Sequence, residues 1–319
     1  MSASRTTVWA IAIALLSALF FTSTYVLNRA AAVDGAHWAW TASLRYLITL
    51  PLLLPLMGAG RMRPVLSAMR AHPGAWLLWS GIGFVLFYAC LSAAAASGPS
   101  WLVAGTFQLT VVAGMLVAPF LYRDARARIP RAALGIGLVV LAGVLLMQWG
   151  HADGRLDAAG WLALALVAVS AFAYPLGNRG LMLHLERAGI ELDATQRVFG
   201  LTLASQPAWL ALAAFAWTRA GLPSASQLGL AAGVALGAGV IATVLFFKAT
   251  GMVRRDPVGL AAAEAMQAAE ILFACVIGAL WLGEAWPTGP AAFGAGLVIA
   301  GIAAVSLVAA RQARAPAPG

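Results

Sequence analysis

VLFYACLSAAAASGPS at residues 85–100 is answered by VLFFKATGMVRRDPV at 244–258. Each stretch carries an aromatic-bearing apolar run into a proline that starts a new segment. The echo extends to both sides: Asn28-Arg29 is matched by Asn178-Arg179, Arg45 by Arg197, and GIGLVVLAG at 135–143 by GAGLVIAG at 294–301. Repetition on this scale sets an architecture before any local reading does. If each copy holds an odd number of membrane spans, the two copies lie upside down relative to each other. Many secondary transporters are built on that arrangement.

Composition places the chain in the bilayer. It is 62% hydrophobic with 10% charged residues, and its mean hydropathy is +0.88, far above that of a soluble domain. A crossing needs about 20 apolar residues. Ten runs meet or approach that length, near 8–28, 38–58, 75–96, 100–121, 131–149, 158–178, 193–217, 226–250, 257–281 and 287–310. The expected fold is an all-α integral membrane protein of ten transmembrane helices in two inverted five-helix repeats. Residues 1–149 form the first repeat, 150–157 the linker, and 158–319 the second repeat with a short tail. Arg5, the apolar run after it and Ala30-Ala31-Ala32 resemble a cleavable signal peptide. The run is long for one, however, and its Asn-Arg ending recurs inside the chain.

The formal charge of +9 is strung over many short loops and forms no single patch. With the N-terminus in the cytoplasm, fourteen arginines fall on inside segments, while only Arg29, Arg155 and Arg219 fall outside. That split obeys the positive-inside rule, puts both termini in the cytoplasm and removes nucleic acid as a partner. Cys90 and Cys275 lie in apolar spans, which suits neither an extracellular disulfide nor a metal. No HExxH, GxSxG, Walker A or paired-Cys pattern occurs, so neither enzyme chemistry nor a cofactor is expected.

Charges inside spans are then the informative ones. Glu264, Gln267 and Glu270 follow at intervals of three along span 9, winding round one side of the helix. At ~1.5 Å per residue, Glu264 lies ~10 Å and Glu270 ~20 Å below Pro257, which puts Glu270 near the midplane of a ~30 Å core. A carboxylate there costs at least ~2.5 kcal/mol. Protonation, a water-filled cavity or pairing with Lys248 would compensate; a purely structural Glu–Lys pair is the plainer reading. Lys248 is the chain's single lysine and answers Ala89 in the first copy, an asymmetry that fits a site better than a scaffold. Arg45 and Arg197 are repeat-related, and their expected role is structural, clamping carbonyls or a helix end.

In span 4, Phe107-Gln108 stands where span 9 has Met266-Gln267, so one half supplies charge and the other neutral polar groups. Tyr25, Tyr88, Tyr174 and Phe247, with Phe87, Trp101, Phe107 and Phe246, are candidates for the wall of a central cavity. Pro175 is expected to break span 6 beside Tyr174 and free carbonyls there. Trp149, Trp161, Trp217, Trp281 and Trp286 read as an interfacial belt. Gly229, Gly233 and Gly237 form a small-residue ridge on span 8, and Gly135, Gly137, Gly294, Gly296 and Gly301 do similar work on spans 5 and 10. Packing between spans is the expected use of these glycines, with dimerisation the alternative; monomer and homodimer both remain open.

SALFFTSTYVLNRA in span 1, ASLRYLITLPLLL in span 2, and AAAEAMQAAEILFACVIGALWLGEAW followed by GAGLVIAG carry a resemblance. With the echo LYRDARARIP and GIGLVVLAG, they make the chain similar, over essentially its whole length, to the drug/metabolite transporter superfamily. Within it the match is to the ten-helix EamA-like and multidrug resistance efflux branches. The resemblance implies export across the bacterial inner membrane by alternating access through a cavity between the halves. Half-sized relatives use a carboxylate in helix 1; here that helix has Thr22, Ser23, Thr24 and Asn28 but no acid, so the coupling site does not carry over. Asp124 and Glu284 fit the family's helix-end acid and read as caps on opposite membrane faces.

The resulting expectation is a proton-coupled exporter of amphipathic, cationic small molecules, with Glu270 or Glu264 binding proton and cargo in turn. A second reading is export or exchange of amino acids or neutral metabolites, with Lys248 engaging the cargo and no obligatory proton. A third, of another class, is a lipid flippase or membrane accessory protein.

Overall fold

The computed structural model describes residues 3–124, 127, 131–152, 157–253, 263 and 266–314. Among these residues every regular element is a helix. Seven helical stretches are long and apolar enough to cross a membrane: α1 (Thr6–Val33), α2 (Trp38–Ala71), α3 (Pro73–Ala94), α4 (Ser100–Leu121), α6 (Ala158–Arg187), α7 (Ala194–Ala220) and α8 (Ala225–Thr250). Three shorter apolar helices, α5 (Gly135–His151), α9 (Met266–Leu282) and α10 (Gly289–Ala304), occupy the remaining expected positions. The all-helical membrane fold is thus present among the described residues. α2 runs past its expected end at 58: Gly58 turns the chain at φ +58, and the helix then continues to Ala71 carrying Arg61, Arg63 and Arg70.

The packing has a symmetry of its own. α5 packs on α10, α2 on α7 and α4 on α9. α1 packs on α8 as α6 packs on α3, and α4 meets α6 as α9 meets α1. Exchanging the first five helices for the last five maps this set of pairings onto itself. α3 and α8 each contain a π-helical segment as well, Gly81–Leu86 and Ala235–Ala242. Such segments are rare and cluster at functional sites.

Helix contacts in an apolar solvent depend on close backbone approach at small residues. Gly143 and Gly294 meet across α5 and α10: a Cβ on Gly294 would lie 2.4 Å from the Gly143 carbonyl oxygen. Gly83 and Gly177 do the same for α3 and α6, where a Cβ on Gly177 would lie 2.3 Å from the Gly83 Cα. Of the expected ridges, Gly233 and Gly237 face Leu27 and Ser23 of α1, and Gly301 faces Val140. Gly229, Gly135 and Gly296 look onto open space and hold nothing together. The five belt tryptophans are all more than half exposed, whereas Trp76 and Trp209 are buried.

One end of the bundle is closed by polar contacts. Gly283 takes a left-handed turn after α9, which lets the Glu284 N–H bond the Gly278 carbonyl at 3.1 Å and folds the acid back. Its carboxylate accepts from the Ser100 N–H at 2.8 Å and the Ser100 hydroxyl at 2.6 Å, so it caps the start of α4. Arg29 Nε lies 3.7 Å from the same carboxylate, and Arg29 Nη1 donates to the carbonyls of Ala95 and Ala96. Trp101 Nε1 donates to the Ala285 carbonyl. At the opposite end, Arg61 pairs with Asp193 at 2.8 Å, and Asp193 and Gln196 form a capping box on α7. Partial burial pushes the Asp193 carboxyl up, but the Gln196 N–H and the Arg61 guanidinium outweigh it and hold it below its ordinary range.

Candidate functional site

A cavity of about 330 Å³ lies at the centre of the bundle, walled by α1, α2, α3, α4, α6, α7, α8 and α9. Its lining lies around the middle of the bundle: α7 contributes Val198 and Thr202 from the Arg61–Asp193 side, while α1 and α3 contribute Tyr25, Phe87 and Leu91 from the opposite side. The Glu284–Ser100 contacts lie beyond it, at the start of α4.

Breaks in the helices put polar groups on this wall. α1 is interrupted at Thr22, immediately before Thr24 and Tyr25; α4 is interrupted at Gln108 itself; α9 opens with a 3₁₀ turn, Met266–Ala268, that presents Gln267 just ahead of Glu270. Irregular backbone at membrane depth is tolerated where it borders such a cavity. The break expected at Pro175 is absent: α6 runs unbroken from Ala158 to Arg187 with Pro175 buried inside it. Losing one backbone donor does not end a helix that its neighbours hold on several sides. Tyr174 nevertheless faces the cavity.

Glu270 is 6% exposed and lines the cavity. The Tyr25 phenol interacts with it. Among the described residues no Lys, Arg or His nitrogen comes within 4.0 Å of its carboxylate. Gln267, Gln108, Tyr25, Tyr174 and Phe247 share the wall with it. Tyr88 does not: it is fully buried behind the wall, donating to Asn28 Oδ1 at 3.0 Å. Glu264 lies outside the described residues. Lys248 is a correction. It is exposed and does not line the cavity, so it neither pairs with Glu270 nor faces cargo. Lys248→Gln is therefore expected to leave cargo binding by the purified protein unchanged; a loss of binding would return the lysine to the site.

The two repeat-related arginines part company. Arg197 Nη1 donates to the Leu192 carbonyl at 2.7 Å and sits at the Asp193 end. Arg45 clamps no carbonyl and no helix end, contrary to expectation. It is 8% exposed, lines the central cavity, and lies with Cζ 3.9 Å from the Tyr88 ring centroid and 5.2 Å from that of Tyr46. Asp124, the expected counterpart of Glu284, follows the end of α4. Arg179 is helical, within α6, and donates through Nη1 to the Gly114 carbonyl instead of sitting in a loop.

Several wall residues escaped the sequence reading: Thr49, Thr110, Asn178, Thr202 and Thr243, all small polar groups that any apolar span can carry. Tyr46 is another, stacked on Trp209 with centroids 4.7 Å apart and rings 5° from parallel. Its place beside Arg45 in sequence was the one available signal.

Known proteins agree with this picture. A family profile described as "EmrE: Putative multidrug resistance efflux transporter" matches residues 8–311. "Uncharacterized protein YjlA" of Bacillus subtilis (strain 168) is 44% identical over 303 residues, covering 92% of this chain and 93% of its own. An "Uncharacterized 42.1 kDa protein in intracellular alkaline protease 3'region" of Shouchella clausii is 40% identical over 271 residues, 82% of this chain and 70% of that one. A solved structure described only as "Crystal structure of protein" superposes with a TM-score of 0.56 over 96% of this chain and 99% of its own, at 18% identity, a likeness of fold alone.

Proposed function

Because the chain belongs to the putative multidrug resistance efflux transporter family and is a multi-pass membrane transporter, not an enzyme, we propose that it is a proton-coupled exporter. Its cargo is a small amphipathic compound with a cationic group, and it works by alternating access. The observation that carries this reading is Glu270: a buried carboxylate on the wall of a central cavity, beside Tyr25 and, among the described residues, with no cation against it. An acid so placed needs a proton or a cation, and exchanging one for the other is antiport. The test is cargo-stimulated proton release from detergent-purified protein, with a lipophilic cation as cargo and Glu270→Gln as the comparison. No release from the wild type with bound cation would sink the reading.

The rest of the reading follows from the packing. Two five-helix halves, 1–149 and 158–319, joined at 150–157, lie inverted in the bacterial inner membrane with both termini in the cytoplasm. The self-mapping pairings and the paired π segments support the inversion, and the arginine distribution supports the orientation. Glu284, Arg29 and Ser100 then form a gate on the outer side. Metabolite export through Lys248 loses its support, since that residue stands off the cavity.

The gate has its own test in Cys275, which is buried one residue past Ala274, whose carbonyl accepts from the Ser100 hydroxyl. In a Cys90→Ser background, Glu284→Ala is expected to raise labelling of Cys275 by an impermeant thiol reagent added outside. A lost hydrogen bond to a charged group corresponds to about 10-fold or more. Unchanged labelling would show that Glu284 only caps a helix.

A further inference from the structure

Arg45 is an unusual residue to find on this wall. Its guanidinium lies over the Tyr88 and Tyr46 rings, and those rings are themselves held, Tyr88 by its hydrogen bond to Asn28 and Tyr46 by its stack on Trp209. One side of the cation is therefore covered. Two of its donors are unmet: Nε and Nη1 are buried without a hydrogen-bond partner, and among the described residues Arg45 forms no ion pair. A guanidinium edge is a fork of donors matched to a carboxylate or phosphate. Leaving buried donors of a charged group unmet is costly, and among the described residues nothing accepts from these two.

The second charge of the cavity stands apart from it. Glu270 is not within ion-pair distance of Arg45, yet both charges act on the same two phenols, Tyr25 and Tyr174. Between and around them lie apolar rings, among them Phe84, Phe87, Phe107 and Phe246. The space offers an anion receptor, an apolar middle and a cation receptor.

We propose that the cavity recognises a zwitterionic amphiphile, its carboxylate (or equivalent acid) on the guanidinium edge of Arg45 and its ammonium toward Glu270. This rests on the cavity being the cargo site, and it narrows the cargo from any lipophilic cation to one that also bears an acid. Arg45 becomes the specificity-determining residue, with Tyr88 and Tyr46 as its shelf. Cargo lacking the acid leaves those two donors unmet and is discriminated against on that ground alone.

The experiment is calorimetric binding of three probes to purified full-length protein: tryptophan as the zwitterion, its methyl ester as the cation, and N-acetyltryptophan as the anion. Wild type is expected to bind the zwitterion about 10- to 150-fold more tightly than the ester, the worth of a hydrogen bond to a charged group. Arg45→Gln is expected to erase that preference, with thermal unfolding in detergent as the separate check that the variant is folded. A wild type that fails to prefer the zwitterion over the ester up to millimolar probe overturns the inference without any variant. So does an Arg45→Gln protein that keeps the preference.

Glu270→Gln separates this inference from the exporter reading. Proton release lost in that variant, with no zwitterion preference in wild type, keeps the exporter and removes the role of Arg45. A preference abolished by Arg45→Gln, with no proton release from any protein, keeps the zwitterion site and removes proton coupling.

Discussion

Replacing Glu270 with Gln is expected to reduce cargo-stimulated proton release from about one proton per cation bound to none, the stoichiometry of a single carboxyl exchanging its proton. The amide has nearly the carboxyl's shape, so the wall beside Tyr25 and Gln267 is preserved and only ionisation is lost. The pH dependence supplies an independent reading. Proton and cation compete for one carboxylate, so wild-type affinity for a lipophilic cation should fall as pH is lowered through its titration, approaching about tenfold per unit below it. In Glu270→Gln that slope should be flat. A variant that retains both the release and the slope would move the coupling role to another acid; Glu264 is the next to change. The effect is large because no neighbouring charge stands ready to substitute: among the described residues the cavity wall contains Glu270 as its acid and Arg45 as its base.

Gly294→Leu is the second, and its effect is on stability. A Cβ there would lie 2.4 Å from the Gly143 carbonyl oxygen and 2.7 Å from the Met147 nitrogen, both backbone atoms of α5 that cannot swing aside. The two helices must separate, giving up their contact. Overpacking costs typically ~1–3 kcal/mol and occasionally more, and here the obstruction is main chain. Gly296→Leu, two residues away on the same helix, meets nothing within 4 Å on an exposed face. Thermal unfolding in detergent should show Gly294→Leu unfolding well below wild type, or failing to yield monodisperse protein, while Gly296→Leu matches wild type. Equal behaviour of the two would mean that α5 and α10 are not held by this approach.

The contrast between Glu270 and Lys248 shows how far one dimension reaches. Depth in a bilayer is a linear quantity, so a carboxylate thirteen residues beyond Pro257 is expensive wherever its helix points, and Glu270 was legible for that reason. Direction is a different matter. Lys248 follows the π-helical Ala235–Ala242, whose wider turns rotate everything after them relative to a regular α-helix. Phe246 and Phe247 come onto the cavity wall and Lys248 is carried off it. Glycines show the same limit: Gly294 and Gly296 are alike in sequence, and only the position of α5 makes one a contact and the other a gap.

The sequence by itself determined that this chain lives in a membrane, that stretches of its first half are echoed in its second, and that a carboxylate sits deep within it. Those properties follow from hydropathy, repetition and distance along a helix, all of which are local or additive. The tertiary structure decided which charges face a common space. Arg45 and Arg197 occupy matching places in the repeat, yet one closes on its own backbone and the other lies on two tyrosines with two of its donors unmet. Their difference is set by neighbours from other helices, Tyr88 of α3 and Trp209 of α7, the latter acting through Tyr46. Such contacts exist only once the bundle has closed.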